Sequence, residues 1–136
     1  MRYLAVLFAT LVLAACSTTQ SQAVSPARVP DPVVQFLLTA AATDFHTHGP
    51  SGVRFRDVRI GHVTTPAGGE QYMLCGQFLP AQDGGKAEWT PFATIKTSGY
   101  EQWVGVRAAG FCQGSSVIWD KEGDLSSSLQ SRLEAR

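Results

Sequence analysis

The chain has 136 residues, 11 basic against 11 acidic side chains and 44% apolar residues, the profile of one ordinary globular domain. Its cations, among them Arg28, Arg54, Arg56, Arg59 and Lys86, are scattered among acids, which leaves out the clustered positive charge of a nucleic-acid binder. No apolar run reaches the roughly 18 residues of an ordinary spanning helix.

Met1-Arg2-Tyr3 is a short positive n-region, Leu4 to Leu13 (LAVLFATLVL) has the length of a signal-peptide core, and Ala14 and Ala15 are small. The expectation is an export signal rather than a structural helix. At its end Leu13-Ala14-Ala15-Cys16 resembles the lipobox of bacterial lipoproteins. That resemblance implies cleavage before Cys16, with acyl chains on its sulfur and on the new amino group. Each buried methylene contributes about 0.8 kcal/mol, and two or more chains hold a protein stably on a bilayer. By the same resemblance Ser17, in place of Asp after the cysteine, implies transfer to the outer membrane, facing the periplasm. The alternative is an ordinary secretory signal cut near Ala15, leaving Cys16 as a free thiol, a poor fit to an oxidising compartment.

Residues 16–30 (CSTTQSQAVSPARVP) are rich in Ser, Thr, Gln and Pro without an apolar period, and are expected to be a flexible tether reaching about 20 Å. A single domain is expected over 31–136. Asp31-Pro32 opens its first helix, with Asp31 as the N-cap and Pro32 at the first helical position. Val34, Leu37 or Leu38, Ala41 and Phe45 recur at three-to-four spacing along one face, and Gly49-Pro50 stops the helix.

The period then changes. Val53 and Phe55 alternate with Arg54 and Arg56, and Val58 and Ile60 with Arg59, so a first strand is expected. Its two apolar pairs are one residue out of phase, and a bulge or bend at Asp57 would bring both to one face. Glu70 to Pro80 is a second strand, apolar on both sides and hence central, bounded by Gly68-Gly69 and Gly84-Gly85. Glu88 to Lys96 is a third, placed toward an edge by Pro91. Glu101 to Arg107 and Ser116 to Asp120 complete the set, and residues 124–136 form a short helix behind Asp124 or a frayed tail. The fold class expected is α+β, an N-terminal helix packed on a small antiparallel sheet of about four to five strands.

With Cys16 assigned to lipid, Cys75 and Cys112 remain, and an even remainder in an exported domain reads as one disulfide; two separate buried thiols are the alternative. Cys112 is expected in a Gly-flanked loop, AAGFCQG, after the fourth strand. A bridge there would contribute roughly 3–4 kcal/mol in the chain-entropy model. His46 and His48 would point about 200° apart on a helix and cannot readily share a metal. Nothing around them or His62 has zinc-ligand spacing, and the two fit the last helical turn instead, so no metal and no cofactor are expected.

Gly114-Ser115-Ser116 lacks a nucleophile elbow, GQFLPAQDGGK lacks P-loop spacing, and Asp57, Glu70, Asp83, Glu88 and Asp120 form no paired acid pattern. No catalytic residue is therefore assigned. Trp89, Trp103 and Trp119 could line a binding surface or fill a small core.

Residues 50 to 95 also resemble a group of small proteobacterial exported proteins. The pattern is carried by Pro50, Phe55, Arg56, Val58, Cys75, Gly76, Gly84, Gly85 and Phe92; Gly49 stands where that group has Asp, and its Asn after the Cys-Gly strand is missing. The resemblance implies the helix-plus-meander fold and no activity. The function expected is a lipid-anchored envelope protein that binds an envelope protein, peptidoglycan or a hydrolase. A structural or assembly accessory lipoprotein is the alternative, and a minor hydrolase ranks behind both.

Overall fold

The computed structural model of the chain describes residues 28–81 and 87–136. The signal segment, Cys16, the tether as far as residue 27, Asp83, Gly84-Gly85 and Lys86 lie outside the described residues.

Helix α1 runs Asp31–His48 and begins one residue earlier than its cap chemistry suggests. Pro30, extended at φ −59 and ψ 138, is the cap, and its carbonyl takes the amides of Val33 and Val34 at 2.9 and 3.1 Å. Asp31 and Pro32 therefore both lie in the first turn, where a carboxylate suits the positive end of the helix dipole and a missing amide is no loss. Val34, Leu37, Leu38, Ala41, Ala42 and Phe45 form the buried stripe. Gly49, extended at φ −79 and ψ 167, ends the helix, and a Cβ there would sit 2.5 Å from the Phe45 carbonyl oxygen, so glycine is what fits.

Five strands follow, β1 (Arg54–Thr64), β2 (Glu70–Leu79), β3 (Thr90–Lys96), β4 (Tyr100–Val104) and β5 (Ile118–Trp119), with α2 (Val106–Cys112) before β5 and α3 (Ser126–Glu134) after it. They form one antiparallel sheet in the order β4-β3-β2-β1-β5, with β2 central as its two apolar sides require. The protein is an α+β fold.

Asp57 carries the break in phase. It takes a left-handed φ of 54, and the β1–β2 register shifts between Arg56 and Arg59. The bulge returns Val53, Phe55, Val58 and Ile60 to a single core. It also turns β1 toward the start of α3, where the Val58 amide donates to Ser126 Oγ at 3.1 Å and the Val58 carbonyl accepts from Leu125 at 2.7 Å.

Helices α1 and α3 cover this face of the sheet. Phe45 of α1 meets Phe55, Phe78 and Phe92 edge-on at 5.0 to 5.1 Å between ring centroids, the T-shaped arrangement that aromatic quadrupoles favour. Leu129 of α3 is fully buried beside them, so residues 126–134 are a packed helix and not a frayed tail. The opposite face holds a smaller cluster, Met73, Cys75, Ala93, Ile95 and Ala108, under α2.

Several boundaries differ from those expected. Pro91 does not place β3 at an edge, because β4 pairs beyond it. That pairing starts at Phe92 with Val104, and the Pro91 carbonyl takes the Gly105 amide at 2.8 Å, so the missing Pro91 donor falls at the end of the ladder. The fourth strand stops at Val104, since Gly105 at φ 73 turns the chain into α2; Arg107 and Cys112 therefore belong to a helix and not to a strand and a loop. The fifth strand shrinks to Ile118–Trp119. Residues 28–30 of the expected tether are part of the fold, for Val29 is buried, its amide donates to Asp120 Oδ2 at 2.8 Å, and Arg28 pairs with Glu122.

Two predictions concern this frame. A Cβ on Gly76 would lie 2.7 Å from Val58 Cγ2 and 2.9 Å from the Phe92 ring, both fully buried. Gly76→Ala is expected to cost about 1–3 kcal/mol of unfolding free energy in urea titration; an unchanged midpoint would contradict this packing. The Tyr72 phenol is held above its ordinary range by donating to Glu70, then by burial and the Glu70 charge. Burial first, then the charge and hydrogen bond of Asp44, does the same for Tyr100. Both ionise later in the folded chain than in the unfolded one, so their contribution is complete below about pH 10 and is lost as pH rises through the folded values. Stability is expected to fall above that pH, and less steeply in a Tyr72→Phe/Tyr100→Phe variant.

Candidate functional site

Helix α2 has only seven residues and packs on β3 and β4, so it covers half of its face of the sheet. Its last residue, Cys112, is bonded to Cys75 in β2, with 6.1 Å between the Cα atoms, and the bridge closes a separation of 37 residues. Between the bridge and β5 the sheet is left open as a cleft of about 560 Å³. Gly76, Gln77 and Pro91 border its floor, the disulfide and Gln113 one wall, and Arg59, Trp119 and Asp120 the other.

The bulge sets the chemistry of that open face. Arg56 and Arg59 are three residues apart and would project from opposite sides of a regular strand. With Asp57 inserted they pair with Gln77 and Cys75, which share the open side. The Arg59 guanidinium lies 3.8 Å over the Trp119 ring, and that of Arg56 lies 4.3 Å over Trp89 while its Nε donates to Gln77 Oε1 at 2.7 Å. A guanidinium stacked on an indole keeps its in-plane donors free, so Arg59 presents an oriented fork to the cleft.

The three tryptophans do not make one platform. Trp119 lines the cleft, and Trp89 flanks it through Arg56 and Gln77. Trp103 packs edge-on against Phe111 at 5.3 Å beneath α2, where Arg107 covers its other side at 3.8 Å; it belongs to the small core.

The carboxylates at the β5 end are tied into the frame. Asp120 holds the Val29 amide, and Asp124 takes the amide and hydroxyl of Ser126. The Ser126 hydroxyl, outweighing burial and helped by main-chain donors, holds the Asp124 carboxyl below the usual range. His46 and His48 end α1 as expected, with His48 Nδ1 3.4 Å from Asp44 Oδ1. His62 is buried, its Nε2 3.7 Å from Glu70 Oε1 and its Nδ1 without a partner among the described residues. Among the described residues no group of three or more His, Cys, Asp or Glu side chains could hold a metal.

Sequence reasoning picked out Cys75, Cys112 and Trp119 but missed Arg59, Gln77 and Gln113. The usable signal was the phase break at Asp57, which implies that the arginines on either side of it share a face. Comparison with protein-family models, with curated proteins and with solved structures finds no match for this chain.

Because the bridge ties α2 to the central strand, Cys75→Ala/Cys112→Ala is expected to lose about 4 kcal/mol of unfolding free energy. Hydrogen exchange should rise first in residues 106–113, the cleft wall. Uniform exchange across the domain would show that the bridge does not hold α2 in particular.

Proposed function

We propose that the chain is a cell-envelope lipoprotein, held by acyl groups on Cys16 at the outer membrane and facing the periplasm, whose domain binds an envelope protein through the cleft beside Trp119. The observation that carries the reading is the apolar core that ends in Leu13-Ala14-Ala15-Cys16. The pairing of the other two cysteines supports it, since a disulfide of this kind persists in an oxidising compartment. With attachment left to the lipid, the domain is free to use its surface for recognition.

The cleft fits a polypeptide better than a glycan. Its polar lining includes two amide side chains, Gln77 and Gln113, the oriented Arg59 fork and the carboxylates of Asp57, Asp120 and Asp124, with the disulfide and Trp119 as apolar walls. Amides match main-chain donors and acceptors, and a planar guanidinium matches a carboxylate. A glycan platform wants an uncovered aromatic face, and Arg59 occupies that of Trp119.

Globomycin-treated, labelled cells are expected to accumulate the uncut precursor, and processing indifferent to the drug would remove the lipid anchor. Crosslinking in intact cells should capture a stoichiometric protein with the wild type and at least about tenfold less with Trp119→Ala or Arg59→Ala, a loss typical of an interface anchor. Retention by purified peptidoglycan, abolished by the same substitutions, would replace the protein partner with a glycan.

A further inference from the structure

Antiparallel pairing turns alternate residues of a strand toward one neighbour and then the other. On the β3 side of β4 the Thr97 amide reaches the Gly99 carbonyl at 3.0 Å, and the Gly105 amide reaches that of Pro91 at 2.8 Å. Between these two bonded pairs, Ile95 faces Glu101 and Ala93 faces Trp103. The alternation therefore sends the main-chain groups of Glu101 and Trp103 inward to β3 and those of Tyr100, Gln102 and Val104 outward. Among the described residues no strand lies beyond β4, and no main-chain group takes the outward ones.

Of the usual edge protections, this strand has a short length and one charge, Glu101. YEQWV contains no Pro and no Lys, and its pairing with β3 shows no bulge. The turn at Gly105 carries α2 onto the sheet face and leaves Val104 54% and Val106 92% exposed. An unpaired edge of this kind is a template for another strand.

We propose that β4 pairs antiparallel with β4 of a second copy, across a two-fold axis at Gln102, to join the two sheets into one. The outward residues are symmetric about that point. Tyr100 falls opposite Val104 of the second copy and Gln102 opposite its own equivalent, so every outward amide meets an outward carbonyl. The Tyr–Val pairs are of the aromatic and β-branched type that stabilises cross-strand contacts.

One side-chain observation singles out a second copy over an unrelated strand. Glu101 takes Trp103 Nε1 at 3.1 Å, and Arg107 stacks on Trp103 at 3.8 Å; neither has an opposite charge within salt-bridge distance among the described residues. The two-fold register places Glu101 opposite Trp103 of the second copy, and hence beside the second copy's Arg107. The two unmatched charges complete each other only when the partner has this sequence. No residue of β4 lines the cleft, so the inference does not rest on the binding reading.

The test is the mass of the detergent-purified full chain by light scattering across dilution. A dimer is expected. Val104→Pro removes an outward donor and no β3 bond, so it is expected to give a monomer whose circular dichroism and melting match the wild type. Glu101→Arg and Arg107→Glu should each weaken the dimer by about tenfold or more, and combining them should restore it, a rescue that damage to the fold would not produce. A wild type that is monomeric at about 100 μM, the usual reach of weak specific dimers, overturns the proposal. So does a dimer indifferent to Val104→Pro and to charge reversal. An unrelated protein released from this edge by Val104→Pro would likewise overturn it, by giving the edge to a different partner.

Discussion

The left-handed turn at Asp57 organises this molecule more than any single buried contact does. An L-residue at φ 54 carries a strain of about 1 kcal/mol, less for Asp, whose short carboxylate tolerates that region. In return β1 keeps Val53 and Phe55 in the same core as Val58 and Ile60. The extra residue does two further things. It frees the Val58 main chain to hold Leu125 and Ser126, which fixes where α3 starts, and it sends Arg56 and Arg59 to the other face together. A regular strand in its place would expose one apolar pair, unseat α3 and split the arginines.

Unequal cover follows from that division. One face carries an 18-residue helix and a nine-residue helix over a phenylalanine cluster; the other carries seven residues and a bond to the central strand. A helix as short as α2 has no independent stability in water, since its nucleation cost is spread over too few hydrogen bonds. Its position therefore depends on Ala108 and Phe111 beneath it and on Cys75 at its end. The cleft exists because the cover stops there.

Much of this was legible from the residues alone, and the gaps have physical causes. The 3.6-residue period of Val34, Leu37, Leu38, Ala41 and Phe45 marks α1 because every turn of it meets the same core. The phase break at Asp57 and the two apolar sides of β2 are likewise written in a period of two. Helix α2 was hidden because Val106-Arg107 extend the alternation of EQWV and the glycines Gly110 and Gly114 make AAGFCQG read as a loop; only the φ of 73 at Gly105 marks where the strand ends. Pro91 misled by its type, since a proline costs a sheet nothing where the neighbouring ladder has already ended. Of the site, the cysteines and Trp119 were visible by type, whereas Arg59 and Gln77 gain meaning only from register. Sequence shows which residues are unusual, and pairing decides which of them meet.

The point where the chain enters the domain ties the proposed anchor to the cleft. Arg28 pairs with Glu122, and the Val29 amide is held by Asp120, a residue of the cleft wall. The segment leading back toward Cys16 therefore departs from the same edge of the sheet that carries β5 and Trp119. Eleven residues, 17–27, separate Cys16 from Arg28, and a flexible chain of that length has a typical reach of about 18 Å. Under the proposed lipidation the β5 edge would be the part of the domain held nearest the bilayer, and the cleft would open close to the membrane surface. A partner reaching it would have to be membrane-associated itself or extend a chain down to that level. The β4 edge lies at the opposite end of the sheet. Pairing through it would set the two β5 edges at the outer ends of one joined sheet, so two copies anchored in one leaflet would lie with that sheet along the bilayer, each held by the tether at its own end. The entry of the chain at Arg28, the cover that stops at Cys112 and the open edge at Val104 are mutually compatible, because each uses a different side of one five-stranded sheet.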